Sequence, residues 1–401
     1  MTDAAPIPVL IVDDDPVFAL FVRQLLLSLG RELPCTAQCV DTAEKAFAEL
    51  GRNAYELVLL DYNLPDADGL QVLAHIHDLP ERQQPAVIML TASGNEAVAV
   101  EAMKRGAKDY LSKAGLDVPP LMRALQTALR QKRLADQVTE YHAQIEADLE
   151  MARNLQQSLL PEHYSTFPRQ APPGQSTLRF CHRFQPAARL AGDFFEVIAL
   201  SDTRAGVFIC DVMGHGVRSA LVTAMMRALV DDLAPAFADP GQFLGEMNRR
   251  LAGLFKNASG SLFATAFYLI ADTQTGQMHY ANAGHPRPLH VQRAATQVNL
   301  LPLPPHAGPA LGLFGAAQYL TSQRPLAPGD IVLLFTDGLT EVEVADGGED
   351  FGQERLLAAT RARMQLPLDQ MLDELIAEVR GFSGGAEFSD DICLLAMERT
   401  A

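Results

Sequence analysis

The sequence is short of positive charge. Its 32 lysines and arginines face 49 aspartates and glutamates, a formal net charge of -17 over 401 residues, whereas a surface that grips nucleic-acid phosphates needs clustered cations. It is also short of cysteine: Cys35, Cys39, Cys181, Cys210 and Cys393 are scattered and form no CxxC pair. That excludes a disulfide framework and a thiolate zinc site and leaves reduced core thiols. No apolar run approaches the ~20 residues that cross a bilayer, and "MTDAAPIPVLIVDDDP" carries no basic region before its short apolar run. The expectation is a soluble, cytoplasmic protein with neither a nucleic-acid nor a membrane partner. Also missing are a P-loop, a "GGDEF"-type cyclase motif, a triad pattern around serine or cysteine, an internal repeat and a low-complexity tract. What remains is hydrophobic content of 48%, enough for two or three buried cores.

From residue 7 to about 116, short apolar runs alternate with helical patterns: "IPVLIV", "CTAQCV", "ELVLLD", "AVIML" and "DYLS" are followed in turn by helices near 17–29, 42–50, 69–79, 95–105 and beyond 116. Five such units predict an α/β domain, a parallel sheet covered by helices on both faces. From about 117 to 160 the pattern is wholly helical. Leu134, Val138, Tyr141, Ile145, Ala152, Leu155 and Leu159 fall on alternating spacings of three and four, broken only at Asp148. A helix of about 40 residues, ~60 Å long, with such a seam predicts a coiled coil between two chains; packing along its own domain is the plainer reading. Pro161 ends it, and "PRQAPPGQST" opens a second domain. Its strand-like runs at 178–185, 194–200, 206–211, 263–271, 277–283, 331–336 and 392–397, with helical stretches at 217–233, 241–256 and 352–380, predict an α+β fold of antiparallel sheets. The domain boundaries expected are 1–122, 123–160 and 161–401.

Acids end the apolar runs of the first domain. Asp13, Asp14 and Asp15 follow the first run, Asp61 the third, Thr91 the fourth and Lys113 the fifth. Ligands of an open parallel sheet bind beyond the carboxyl ends of its strands. Carboxylates gathered there repel unless a divalent cation joins them, and all-oxygen ligands favour Mg2+; one carboxylate could then attack a phosphoryl donor. Taken singly each residue reads as a turn, a cap or a surface charge. Together, "VLIVDDDP", "LVLLDYNLPDADGL", "TAS" and "DYLSK" resemble the response-regulator receiver family, over about residues 5–130. The resemblance implies a flavodoxin-like doubly wound (βα)5 fold and phosphorylation of Asp61 by a sensor histidine kinase. It implies Mg2+ held by Asp13, Asp14, Asp61 and the Asn63 carbonyl, phosphoryl contacts from Thr91 and Lys113, and Tyr110 as the aromatic switch. Ala114 stands where the family usually has proline.

Acids end the later runs too: Asp193 in "LAGDFFEV", Asp211 in "ICDVMGHG", Asp337 in "LLFTDGLTE", and Asp390 with Asp391 in "FSDDICLL". Carboxylates without His or Cys partners fit two Mn2+ or Mg2+ ions about 3.5 to 4 Å apart that activate a water, chemistry suited to phosphoester hydrolysis. The glycines of "GHG" give the chain behind Asp211 a tight bend. These stretches, with "MARNLQQSLLPE", "FATAFYLIADTQTGQMHYANAGHPRPL" and "FGQERLLAA", resemble the SpoIIE and RsbU branch of the PPM metal-dependent protein phosphatases over roughly 150–400. That implies an α-β-β-α sandwich that hydrolyses phosphoserine or phosphothreonine on a protein, with a STAS-type anti-sigma-factor antagonist as substrate. It also implies Asp211 bridging both metals, Asp193 and the Val212 carbonyl on one, Asp337 and Asp390 on the other, with Asp391, where the wider superfamily often has Asn, counted among the metal-site residues. Ala191, Glu196 and Cys393 depart from the usual Gly, Asp and Thr. His215 and His285 read as loop supports, His75 and His77 as lying on different helix faces, and Met225 and Met226 as part of a core stripe with Leu221 and Leu229.

The whole reads as a homodimeric response regulator with phosphatase output, the linker helix carrying the signal. The competing class is an adaptor whose phosphatase-like domain only binds a partner; the intact acids argue against it.

Overall fold

The computed structural model describes residues 5–400 except 31, 93–95, 215, 257–261, 306, 344–347 and 386–387, and except the side chains of 96–98 and 173. Contacts divide the chain into two units, Met1–Glu146 and Ala147–Ala401.

The first unit holds β1 (Ile7–Val12), α1 (Pro16–Ser28), β2 (Cys35–Val40), α2 (Ala43–Leu50), β3 (Leu57–Asp61), α3 (Gly69–His77), β4 (Ala86–Thr91), α4 (Glu96–Lys104) and β5 (Asp109–Ser112). Its strands are parallel in the order β2-β1-β3-β4-β5, so the direction of winding switches between β1 and β3. β3 and β4 are buried along their whole length, as befits strands covered on both faces. Helix starts are set by side chains that accept orphan N–H groups: Asp15, followed by Pro16, caps α1, Thr42 caps α2 and Asp68 caps α3. The acids of "DDDP" are therefore unequal, since Asp15 accepts from Val17 and Phe18. Helix α5 (Val118–Ser158) gives its first part to this unit, where Leu121, Ala124, Leu125, Ala128 and Leu129 are buried. Beyond that turn Leu134, Val138, Tyr141 and Ile145 are exposed, as is Leu155 near the other end.

The second unit continues with β6 (Leu178–Gln185), β7 (Asp193–Ala199), β8 (Arg204–Val212), α6 (Val217–Leu233), α7 (Pro240–Phe255), β9 (Ala264–Asp272), β10 (Gln277–Ala283), β11 (Leu289–Gln292), β12 (Gln297–Leu300), β13 (Ser322–Pro325), β14 (Asp330–Phe335), α8 (Gly352–Arg363), α9 (Leu368–Phe382) and β15 (Ile392–Arg399). They form two antiparallel sheets, β13-β10-β9-β8-β7 and β12-β11-β14-β15-β6. Alternate residues such as Phe195, Ile209, Phe267, Leu334 and Leu395 fill the space between the sheets. The outer face of the first sheet is covered by α6 and α7 and that of the second by α8 and α9. The expected α-β-β-α sandwich is what the strand alternation builds.

Two details differ from the sequence reading. The strands β11, β12 and β13, four residues each, lie outside the runs expected. On α6 the buried stripe is Val222, Met226, Val230 and Leu233, while Leu221 and Met225 are 58% and 42% exposed. Both stripes of this helix are apolar, so spacing alone could not choose between them. The packing against β8 does, and only Met226 of the methionine pair is core.

Candidate functional site

In the first unit Asp13 follows β1 and Asp61 ends β3, the neighbouring strands at the switch point, with Val12 in register with Leu60. Carboxylate oxygens of Asp13, Asp14 and Asp61 lie within 4.8 Å of one another. Lys113, which follows β5 with its N–H on the Thr91 carbonyl, brings its Nζ to 2.7 Å from Asp13 and 2.8 Å from Asp61. It also lies over the Phe18 ring, 4.8 Å from the centroid. Thr91 is buried and Tyr110 half exposed, and Asn63, on the loop after Asp61, bridges to Asp68. The peptide after Lys113 is trans, the usual geometry before a residue other than proline. Lys113 nonetheless reaches both acids.

In the second unit the acids converge at one end of the inter-sheet cleft. Asp193, at the start of β7, stands directly opposite Asp211 near the end of β8, and Asp211 stands opposite Thr265 on β9. Residues opposite in an antiparallel pair share a face, and this is the face that carries Phe195, Ile209 and Phe267 into the cleft. From the other sheet come Asp337, just past β14, and Asp390 and Asp391, just before β15. Asp211, Gly214, Asp390 and Asp391 line a cavity of about 330 Å3 with Ala187, Ala188 and Ser389. The backbones meet closely behind it. A Cβ on Gly192 would sit 2.7 Å from the Val212 carbonyl oxygen, so the residue before Asp193 has no room for a side chain. Gly214 and Gly216 take φ of 85° and 93° and turn the chain into α6; His215 between them lies outside the described residues.

Two sequence-family models match this architecture: the response regulator receiver domain over residues 9–126, and stage II sporulation protein E (SpoIIE) over 201–400. The chain joins a receiver domain to a SpoIIE-family domain. Among curated relatives it is 30% identical over 196 residues to "Phosphoserine phosphatase RsbP" of Bacillus subtilis, covering 48% of this chain and 45% of that protein. It is 29% identical over 205 residues to "Phosphoserine phosphatase RsbU" of the same organism, covering 51% and 56%. The matches thus span about half the length of these relatives. Among solved structures, the "SiaA-PP2C domain of Pseudomonas aeruginosa" superposes with a TM-score of 0.55 at 24% identity, over 64% of this chain and 98% of that one. At that identity the likeness carries the fold.

Electrostatics separate the two domains. In the receiver domain, burial pushes the Asp13 carboxyl up while Lys113 pulls it back. On Lys113 burial opposes the charge, yet the hydrogen bonds to Asp13 and Asp61 hold its pKa above the ordinary lysine value. In the SpoIIE domain burial and neighbouring acids act in the same direction. They push Asp211 up to about 7, with Asp337, Asp390 and Asp391 adding to burial, and raise Asp193 and Asp337 as well. No three ligand oxygens of this group come within 4.8 Å of one another among the described residues. Ligands divided between two cations need a wider spread than ligands of one. A partly buried, all-carboxylate group in which the pKa values of Asp193, Asp211 and Asp337 are raised fits hard divalent cations.

Several contacts of the SpoIIE domain site carried no signal in the sequence. Thr336, fully buried, donates from Oγ1 to Asp193 Oδ2 at 2.6 Å and accepts from the Cys393 N–H at 3.0 Å. Both Asp391 oxygens are occupied, accepting from the Ala187 and Gly192 N–H groups at 2.8 and 2.6 Å, so this acid holds the loop that delivers Asp193. The last turn of α5 holds the same loop from the other side. Gln156 accepts from the Ala191 N–H at 2.9 Å and donates to the Ala191 carbonyl at 2.7 Å and to Thr223 Oγ1 at 3.2 Å. Arg227 of α6 donates to the Leu159 carbonyl at 2.8 Å and pairs with Glu196.

Proposed function

We propose that the chain is a two-component response regulator whose output is metal-dependent dephosphorylation of a protein, with a receiver over 1–122, a helical linker over 123–160 and an output domain over 161–401. A sensor histidine kinase phosphorylates Asp61. Asp13, Asp14, Asp61 and the Asn63 carbonyl hold Mg2+, Thr91 and Lys113 take the phosphoryl oxygens, and Tyr110 reports the change.

In the output domain Asp211 would serve both of two Mn2+ or Mg2+ ions. Asp193 and the Val212 carbonyl would hold one, Asp337 and Asp390 the other, while Asp391 fixes the loop. Bound there, the cations supply an activated water and neutralise phosphoryl charge. The chain's own contribution is positional: Thr336 orients Asp193, and Asp391 with Gln156 fixes the loop before it. The observation that carries this reading is the meeting of Asp193 and Asp211, opposite each other on one sheet, with Asp337 and Asp390 from the other.

Similarity to two proteins named phosphoserine phosphatases supports phosphoserine or phosphothreonine on a protein as the substrate class, with a phosphorylated STAS-type anti-sigma-factor antagonist as the specific substrate. The exposed seam of Leu134, Val138, Tyr141 and Ile145 supports a homodimer paired through α5, and the net charge of -17 a protein partner rather than nucleic acid. Phosphorylation of Asp61 alters the receiver face that contacts the linker and so biases assembly around Asp211. The test is phosphate release from a generic phosphoester with Mn2+, with and without beryllofluoride. Wild type is expected to turn over and to change rate or oligomeric state with the mimic, while Asp61→Asn does not respond. No Mn2+-dependent release, and no change on Asp211→Asn, would favour the adaptor.

A further inference from the structure

Hydrogen bonding across the acid site is uneven. Asp193 accepts from Thr336, Asp390 from the Asp391 N–H, and Asp391 from two backbone N–H groups. Asp211 accepts from no side chain or backbone N–H among the described residues. Its cross-strand neighbour is nevertheless a donor. Thr265 stands directly opposite on β9, at the ~5 Å Cβ separation over which cross-strand hydroxyls and carboxylates ordinarily bond. The Thr265 hydroxyl is engaged elsewhere, with Oγ1 2.9 Å from His285 Nδ1.

The stretch "NAGHP" sets that contact. Strand β10 ends at Ala283, Gly284 turns with φ of 72°, and the Asn282 side chain closes the turn, accepting from the His285 N–H at 3.0 Å and donating to its carbonyl at 2.8 Å. The imidazole is thereby placed in the inter-sheet space, 4% exposed. Burial pushes its pKa down to about 3, so the ring is neutral, with one donor and one acceptor nitrogen. Nε2 has no hydrogen-bond partner, and the Thr265 hydroxyl has no acceptor other than Nδ1 among the described residues. With the ring proton on Nε2, Nδ1 accepts the hydroxyl proton; the opposite tautomer would leave the hydroxyl proton and the Nε2 lone pair both unpartnered.

We propose that His285 is a positioning residue: its Nδ1 holds the hydroxyl proton of Thr265 and so keeps Thr265 from donating to Asp211, leaving every lone pair of that carboxylate available to cations. This rests on the metal-bridging reading of Asp211. The role is negative, removing a competing donor from the one acid expected to serve two ions. It differs from packing in a way that can be measured, because deleting the donor should cure the loss of the histidine.

The experiment is a calorimetric Mn2+ titration of the full chain as wild type, His285→Leu, and His285→Leu combined with Thr265→Val. His285→Leu is expected to weaken Mn2+ binding by about tenfold, the lower end for groups that tune metal ligands, and the added Thr265→Val to restore most of it. A double variant as weak as the single one, or a single variant that binds like wild type, would overturn the proposal. Should the leucine variant not fold, long-range proton–nitrogen spectra of the metal-free wild type, assigned against His285→Gln, read the tautomer directly. An unprotonated Nδ1 is expected and a protonated one overturns the proposal. Mn2+ binding identical in wild type and Asp211→Asn would instead overturn the reading of Asp211 itself.

Discussion

In the receiver domain Lys113 lies 2.7 Å from Asp13 and 2.8 Å from Asp61. In the SpoIIE-family domain no lysine or arginine pairs with Asp193, Asp211, Asp337 or Asp390 among the described residues. Both sites gather carboxylates where apolar strands end, and each buries part of its set: Asp13 and Asp61 in the one, Asp193 and Asp391 in the other. The difference lies in what balances the charge. The receiver carries an internal cation and needs one metal's worth of neutralisation beyond it. The second site has none among the described residues, and neighbouring acids add to burial in raising the pKa of Asp193 and Asp211. A site without its own counter-charge is a standing cost to the fold that a divalent ion relieves, so cation binding should matter more to its stability than to that of the receiver.

The largest effect that would break this contrast is expected at Asp211. Asp211→Asn should bring Mn2+-dependent phosphate release to background. In metal-free protein it should also raise the melting temperature, because one of the repelling charges is gone. The sign follows from the raised pKa. The folded carboxyl keeps its proton to about 7 while the unfolded one loses it near the ordinary aspartate value, so wild-type stability falls as pH rises through that window. The stabilisation by Asn should therefore grow from about pH 4 to pH 7, and thermal melts across that range in chelator check it.

Lys113→Ala should act in the opposite sense. It leaves Asp13 and Asp61 buried without their partner and should cost the receiver about 3 kcal/mol, the scale of a broken buried pair, as read by urea unfolding, with Mg2+ recovering part of the loss. Thr336→Val sharpens the comparison further, since it removes a single hydrogen bond from Asp193 without changing charge. The expected result is a 10- to 100-fold rise, roughly, in the Mn2+ concentration needed for half-maximal turnover, with little change in kcat at saturating metal. Smallest is Gln156→Ala. Losing the two bonds to Ala191 should cost about 1 kcal/mol and lower basal turnover modestly. Turnover should also respond less to beryllofluoride, because Gln156 joins the last turn of α5 to the loop before Asp193.

The acids were legible because they end apolar runs, a pattern that survives without any tertiary information. The sandwich was legible for the same reason, from runs such as "GVFICDV" and "IVLLF". What spacing could not reveal were partners far apart in the chain. Thr336 reaches Asp193 across 143 residues, and the hydroxyl carries no mark of that contact. By position alone Asp15 is indistinguishable from Asp13 and Asp14; the receiver resemblance leaves it out of the metal set, and its side chain caps α1. The strands β11, β12 and β13 escaped because four-residue edge and near-edge segments such as "SQRP" contain too few apolar residues to show alternation. The stripe on α6 was misplaced by one residue because two adjacent faces of that helix are both apolar. The motif puts Asp391 among the metal-site residues, whereas both its oxygens accept from the Ala187 and Gly192 N–H groups, a loop geometry no motif encodes.

The central claim is that the carboxylates of the SpoIIE-family domain are a site for two divalent cations. Counting Mn2+ bound per chain at equilibrium, in wild type and in Asp211→Asn, tests it most directly. Wild type is expected to bind two more ions than the variant, which retains the receiver site, and equal counts in the two proteins would contradict the account.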